Sequence, residues 1–269
     1  MYLLDIDKLE AGDIILTRSN TEISERVRRL TKSEYSHAIL YVGVSSCIES
    51  DGPGVQSQNI QRLLYENETD VKVLRLKADK AKIAIPNVIV FARQKVGTEY
   101  SVSEAIEAVL KREVNAKETN RQFCTRFVAQ AFESTGIRLV DNPDYCNPEE
   151  LLKSDLLIEV KEPLREANAA EIEFANSESP LKKQQDIHNT IFNSARKLSG
   201  SDIQTFEQLS KFVLENPDKE PQITKIIEES GYLTMWQMDT ESNPWHYDPK
   251  LFFEHYKHPR QILDCLVLI

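Results

Sequence analysis

The strongest constraint on the fold is a pair of short apolar segments, HAILYVG at 37–43 and CIES at 47–50. Apolar runs of this length favour β-strands, and only a short stretch, Val44–Ser46, separates them. So short a connection joins neighbouring antiparallel strands. We therefore expect a β-hairpin, in which side chains of the two segments come close together across the strands.

Further segments predict a mixed α+β domain around this hairpin. DIILT at 13–17 and VKVLRL at 71–76 have the pattern of strands. Helical spacing or capping signals predict helices at 23–31, 79–97, 101–110 and 121–136, and a short helical stretch within 147–160.

The composition of the chain changes near residue 161. The next twenty residues are polar and lack sustained periodicity, which is typical of a linker or an irregular crossing segment. Amphipathic helices are predicted beyond it, at 180–199, 202–216 and 221–230. We therefore predict a domain at 1–160 and a mostly helical C-terminal accessory region at 161–269. This region holds many aromatic residues, most of which should be buried: Trp236, Tyr247, Phe252, Phe253 and Tyr256.

Composition excludes several classes of function. The 269 residues are 41% hydrophobic and 28% charged, as in soluble globular proteins. The formal net charge of -10 argues against broad nucleic-acid binding, which requires a basic face. No apolar run approaches the ~18 residues of a membrane-spanning helix, and no signal peptide is recognisable. We expect no nucleic-acid partner, no integral membrane segment and a cytoplasmic location.

Neither a metal site nor a cofactor is predicted. The four cysteines, Cys47, Cys124, Cys146 and Cys265, form no CxxC pair, so a disulfide framework or zinc cluster is not expected. Three histidines in the tail, His246, His255 and His258, offer an alternative metal site. They lack the HExxH spacing and cysteine ligands that would support this alternative.

Cys124 is the candidate nucleophile. It stands at the start of a predicted helix, where the helix dipole and free backbone N–H groups favour a thiolate, and Arg121 and Arg126 add positive charge nearby. The alternative is a buried structural cysteine, a common fate for this residue type. Cys47 and Cys265 lie in apolar segments typical of a core, and Cys146 lies in a predicted loop.

His37 and Glu49 are the candidate base and acid. His37 opens the first strand of the predicted hairpin and Glu49 lies on the second. Pairing of these strands would let the carboxylate orient the imidazole and favour its protonated form. Each residue also has a purely structural interpretation: a hydrogen-bonded, half-buried histidine and a surface glutamate.

The chain from Leu9 to about Val160 resembles the permuted papain-like amidases and peptidases of the YaeF/YiiX type. These are relatives of the NlpC cell-wall amidases and of lecithin retinol acyltransferase. The resemblance is carried, in order, by AGDIILTR, VRRLTKSEYSHAILYVG, IES, GPGVQSQNIQRLL, FARQKVGTEYS, FCTRFVAQAFESTGI and NPEELLKSDLL. It implies a circularly permuted papain-like (NlpC-type) domain, in which a small antiparallel sheet packs against the helix that presents the nucleophile.

The resemblance also implies the roles of individual residues. The family's nucleophile matches Cys124, its histidine matches His37 and its acid matches Glu49. The histidine precedes the cysteine, which is the order expected of the permuted group. The chain departs from the family at Thr125 and Arg126, where serine and glutamate are frequent, and GTEYS lacks the aspartate that often follows the tyrosine.

These observations predict a cysteine hydrolase that cleaves a peptide-like or acyl-amide bond through an acyl-enzyme on Cys124. Tyr35 and Ser36 beside the histidine are predicted to help bind substrate. An ester or thioester hydrolase or transferase is an alternative, because fold does not select the bond. A second alternative is a non-enzymatic papain-like scaffold that binds a protein partner through its C-terminal region.

Overall fold

The computed structural model describes residues 1–110 and 119–257, together with Pro259 and Ile262. The chain divides into two compact units, residues 1–177 and 178–269. The first unit therefore extends beyond the boundary predicted at residue 160. Cys265 and His258, which figured in the sequence predictions, lie outside the described residues.

The described part of the first unit contains eight strands and six helices. The strands are β1 (Tyr2–Leu4), β2 (Ile14–Thr17), β3 (His37–Gly43), β4 (Ser46–Asp51), β5 (Gly54–Asn59), β6 (Val71–Leu76), β7 (Leu157–Glu159) and β8 (Leu164–Glu166). The helices are α1 (Glu22–Thr31), α2 (Ala78–Gln94), α3 (Val102–Leu110), α4 (Cys124–Glu133), α5 (Pro148–Leu152) and α6 (Ala169–Asn176).

Six strands form one antiparallel sheet in the order β5-β4-β3-β2-β6-β7. The predicted hairpin is confirmed as β3 and β4, with Ile39 opposite Glu49. Its turn is tight because Val44 and Ser45 both adopt left-handed backbone angles. The sequence analysis missed β5, whose polar residues after the DGPG turn lack the apolar alternation expected of a strand.

The helix that begins at Cys124 packs against the centre of this sheet. Its inner face is apolar, since Phe127, Val128, Ala131 and Phe132 have no exposed surface. The helix contacts both strands of the hairpin, β3 and β4. Burial of these side chains therefore fixes α4 on the two strands that carry His37 and Glu49.

The stretch interpreted as a linker or an irregular crossing segment is folded onto the first unit, so it is not a free linker. Strand β8 pairs with β1, with Tyr2 opposite Glu166. The guanidinium of Arg62 donates hydrogen bonds to the carbonyl oxygens of Phe174 and Ser177 at the end of α6, at 3.1 and 2.6 Å. These contacts join residues distant in sequence, which explains why local polarity did not reveal them.

The described part of the second unit is helical. Its helices are α7 (Pro180–Ser199), α8 (Phe206–Glu215), α9 (Glu220–Ser230), α10 (Met235–Ser242) and α11 (Pro249–His255). A small core forms around Ile191 and Phe192, both fully buried. The prediction that the tail aromatics are mostly buried is wrong for Trp236, Tyr247 and Phe253, which are more than half exposed, whereas Tyr256 is buried.

Candidate active site

The hairpin brings His37 and Glu49 into direct contact. Glu49 lies opposite Ile39, so it is a diagonal neighbour of His37 across the two strands. The ring Nε2 of His37 lies 2.7 Å from Oε2 of Glu49, within hydrogen-bonding distance. The imidazole is 22% exposed and the carboxylate 10%. The pair is therefore largely shielded, while one side of the ring stays accessible.

Cys124 meets the same imidazole from α4. Its side chain lies close enough to the imidazole to raise the pKa of His37. Because Nε2 faces Glu49, the ring atom left for the sulfur is Nδ1. The structure thus joins three residues that are far apart in sequence in the order Cys124, His37, Glu49.

This environment favours a protonated imidazole. Burial would lower the pKa of His37, but the hydrogen bonds and negative charges of Cys124 and Glu49 outweigh it, and the pKa rises well above its ordinary value of 6.5. A positive imidazolium between a thiolate and a carboxylate is the state in which a thiol is activated for attack.

The backbone at the start of α4 presents the cysteine and donors for an oxyanion. Phe123, the residue before the helix, is extended, and Cys124 is the first helical residue. N–H groups in the first turn of a helix lack intrahelical partners and can donate to an anion. The hydroxyl of Thr125 donates to the carbonyl oxygen of Cys146 at 2.6 Å, which anchors this turn.

A second buried ion pair holds the same turn. The guanidinium of Arg126 is 1% exposed and lies 3.0 Å from the carboxylate of Glu104 on α3. It also donates to the carbonyl oxygen of Asp144 at 2.7 Å. Burial raises the pKa of Glu104, but hydrogen bonds, first from Arg126 and then from other neighbours, lower it to about 2. Arg121 is paired with Glu99 at 3.1 Å. The two arginines near the cysteine are thus compensated by carboxylates.

Tyr100 forms a β-bridge with Gln122, two residues before Cys124, and sequence analysis did not single it out. Burial, followed by the negative charges of Cys124 and Asp51, raises the pKa of its hydroxyl. Its segment is held by β5, because Val55 donates its N–H to the carbonyl oxygen of Thr98 at 2.7 Å. GTEYS matched the family pattern, but nothing in the residues themselves indicated that the tyrosine lies near the cysteine.

Tyr35 and Ser36, the predicted substrate-binding residues, are buried and half-buried respectively. Tyr35 is 3% exposed. The hydroxyl of Ser36 lies 2.6 Å from that of Ser24. Among the contacts that the structure describes, none joins them to Cys124. Cys47 is fully buried, as predicted, and the loop residue Cys146 is 1% exposed.

Metal binding and membrane spanning find no support in the described ranges. No cluster of three or more histidine, cysteine, aspartate or glutamate side chains there could hold a metal ion. His246 instead lies 3.7 Å from Asp239, and His255 stacks on Trp245. No described helix is both long and apolar enough to cross a bilayer.

The antiparallel sheet and the helix that begins at Cys124 form the arrangement that the sequence resemblance implied. The model of a protein family described as permuted papain-like amidase enzyme, YaeF/YiiX, C92 family, matches residues 8–146, just over half of the chain. The chain belongs to this family of permuted papain-like amidases. The matched range includes all three residues of the Cys124–His37–Glu49 group.

Among solved structures, the chain is similar to the metalloprotein yiiX from Escherichia coli O157:H7. The sequences are 18% identical, with a TM-score of 0.45, and the match covers 57% of this chain and 97% of the other. No curated protein sequence matches the chain significantly.

Proposed function

We propose that the chain is a cysteine hydrolase that cleaves an amide bond in a peptide-like or acylated substrate, with Cys124 as nucleophile. The observation that carries the proposal is that one imidazole, that of His37, is hydrogen-bonded to Glu49 at 2.7 Å and has its pKa raised by both Glu49 and Cys124. Membership of the amidase family supports hydrolysis by a cysteine-type enzyme.

The first half of the proposed reaction forms an acyl-enzyme. The thiolate of Cys124, formed when His37 takes its proton, attacks the carbonyl carbon of the substrate. Backbone N–H groups at the start of α4 donate to the oxyanion that develops. The imidazolium of His37 then gives its proton to the amide nitrogen, the C–N bond breaks, and the amine leaves.

The second half releases the acid. The neutral imidazole of His37 takes a proton from water, which attacks the thioester carbonyl. The C–S bond then breaks and the thiolate returns, so that amide and water have become a carboxylic acid and an amine. Glu49 holds the ring in orientation and stabilises its positive charge in both halves.

Activity-based labelling tests the proposal. The native protein is treated with an electrophilic thiol probe and the labelled residue is mapped. We expect Cys124, which is 8% exposed, to react, and Cys47 and Cys146, which are 0% and 1% exposed, to stay unlabelled until the protein unfolds. Equal labelling of the three thiols in the native state would contradict the proposal, and the non-enzymatic scaffold would then be the better interpretation.

The bond type needs a separate measurement. Amide, ester and thioester substrates that share one acyl group are compared with the wild-type protein and Cys124→Ala. We expect amide turnover that depends on Cys124. Turnover of the ester or thioester alone would replace the amidase proposal with acyl hydrolysis or transfer. Tyr35 and Ser36 stay predicted contributors to substrate binding, which Tyr35→Phe and Ser36→Ala test through the KM.

A further inference from the structure

The hydroxyl of Tyr65 is a buried polar group without a direct hydrogen bond. Tyr65 is 8% exposed, and its Oη is buried with no hydrogen-bond partner in the part of the chain that the structure describes. The backbone of Tyr65 is fixed, because it exchanges two hydrogen bonds with the backbone of Tyr2, at 3.0 and 2.8 Å. Folded proteins pair almost all buried polar groups. Packing around Tyr65 thus holds a hydrogen-bond donor in place without using it.

Glu49 lies on the same face of the sheet as the cluster that contains Tyr65. This cluster of buried residues also contains Cys47 and Ile39. Cys47 is two residues before Glu49 on β4, and Ile39 lies directly opposite Glu49 on β3. Residues two apart on a strand, and residues opposite each other on paired strands, project from the same face of a sheet. Burial, followed by the negative charges of Cys47 and Glu49, raises the pKa of the Tyr65 hydroxyl.

The carboxylate of Glu49 is the acceptor that suits this donor. Its Oε2 contacts His37 at 2.7 Å, and its Oε1 has no hydrogen-bond partner among the described residues. Cys47 is the weaker alternative. Burial raises the pKa of its thiol well above the ordinary value, and its Sγ lies 3.6 Å from the carbonyl oxygen of Gln58. A neutral thiol is a weak acceptor, whereas a carboxylate oxygen is a strong one.

We propose that Tyr65 is a positioning residue of the candidate active site, whose hydroxyl donates to Oε1 of Glu49 and keeps the carboxylate against His37. The donation occurs after a small rotation of the side chains or through one water molecule, which bridges polar groups almost as well as a direct bond. Tyr65 acts through Glu49 and not on the reacting atoms. The inference rests on the proposed function, because it adds a residue to the Cys124–His37–Glu49 group.

Tyr65→Phe tests the proposal, because it removes the hydroxyl and keeps the ring. We expect kcat for the amide substrate to fall roughly five- to tenfold with little change in KM, since the hydroxyl does not contact bound substrate. A hydroxyl with no role predicts a different result: its removal would leave kcat unchanged and the protein equally or more stable. An unchanged kcat would overturn the proposal.

The matched control is Tyr41→Phe. Tyr41 belongs to the same buried cluster as Tyr65, and its hydroxyl accepts a hydrogen bond from the N–H of Ser45 in the turn of the hairpin, at 3.4 Å. This variant also removes one buried phenol hydroxyl, but not one assigned to Glu49. We expect its kcat to equal that of the wild type. An equal fall of kcat in both variants would indicate a general effect of the cluster and would overturn the proposal.

A double variant tests whether Tyr65 acts through Glu49. Glu49→Ala removes the carboxylate on which the hydroxyl acts. Adding Tyr65→Phe to Glu49→Ala should therefore change kcat by less than about twofold, because the two residues form one unit. If the two substitutions multiplied their effects on kcat, Tyr65 would influence the site by another route, and the proposal would be wrong.

The pKa of His37 supplies a measurement that does not require turnover. It is obtained by NMR titration of the imidazole signals, and the signal of His37 is identified by its absence in His37→Gln. We expect this pKa to be lower in Tyr65→Phe than in the wild type, because a loosely held carboxylate stabilises the imidazolium less. An equal or higher pKa would overturn the proposal. If turnover did not depend on Cys124, the proposed function would fail, while this titration would still decide the role of Tyr65.

Discussion

Two buried carboxylates near the start of α4, Glu49 and Glu104, each bind one cation, but the two cations differ in kind. Glu49 contacts His37, whose imidazole can gain and lose a proton in the physiological range. Glu104 contacts Arg126, whose guanidinium stays charged. The first pair can therefore take part in proton transfer, whereas the second can only hold a position.

The surroundings of the two pairs deepen this difference. Arg126 lies between the rings of Phe123 and Tyr145, at 4.8 and 4.9 Å from their centroids. The imidazole of His37 is partly accessible and meets the thiol. Packing around the permanently charged Arg126 fixes the start of α4. The titratable imidazole of His37 remains accessible, which permits proton transfer. The predictions below separate these roles.

Removal of the nucleophile should have the largest effect. Cys124→Ala deletes the atom that forms the acyl bond, so turnover should fall by at least about a thousandfold while the fold is kept. The measurement is turnover of the amide substrate used in the comparison of bond types. Cys146→Ala, which removes a neighbouring buried thiol, is the control and should keep most of the activity.

Breaking the fixed pair should chiefly reduce stability. Arg126→Met leaves the buried carboxylate of Glu104 without its cation, which should cost about 3–5 kcal/mol in the free energy of unfolding. Chemical denaturation measures the loss. The matched control, Arg138→Met, removes an exposed pair with Glu133 and should cost no more than about 0.5 kcal/mol.

A double variant sharpens this test. Replacing both members, as in Arg126→Met with Glu104→Leu, removes the unpaired charge and should recover much of the stability lost in the single variant. If the double variant were as unstable as the sum of its two single variants, the ion pair would not be the cause of the loss.

Acid should remove the contribution of Glu104 in a defined window. The pKa of Glu104 is lowered from 4.5 to about 2 in the folded protein. Its ion pair therefore contributes fully to the free energy of unfolding above about pH 4.5. This contribution is lost as the pH falls through the folded-state pKa. The loss between about pH 4.5 and 2 should amount to about 3 kcal/mol. Glu104→Gln should lack this part of the pH dependence.

The smallest of these effects should come from Glu49→Gln. The amide keeps the shape of the side chain but removes a charge that raises the pKa of His37. Turnover should fall about 10–100-fold, or roughly 1.4–2.7 kcal/mol, and thus less than in Cys124→Ala.

The pH profile of Glu49→Gln distinguishes orientation from charge. A raised histidine pKa keeps the imidazolium present until pH rises through that pKa. Loss of the carboxylate lowers it. Turnover of an amide needs the imidazolium to protonate the leaving amine, so the decline of turnover at high pH should begin at lower pH than in the wild type. An unchanged high-pH limb would contradict the role assigned to the charge of Glu49.

The members of the two pairs also differ in how far sequence predicts them. His37 and Glu49 lie on adjacent strands of a short hairpin, so local pattern placed them together, and the family resemblance added Cys124. The partner of Arg126 could not be found in this way. Glu104 lies on another helix, and the bond depends on how α3 folds back on α4, a long-range contact with no local signal. The same reason hid the pairing of β8 with β1.

That pairing has a consequence for chain order. Tyr2 lies opposite Glu166, so the first strand of the sheet-containing unit pairs with its last strand. The two ends of this unit are therefore close together in space. When the ends of a domain lie close together, they can be joined and new ends made at another exposed turn without changing which strands pair. An order in which the histidine precedes the cysteine therefore requires no new architecture: the location of the chain ends changes, and the geometry around the sulfur does not.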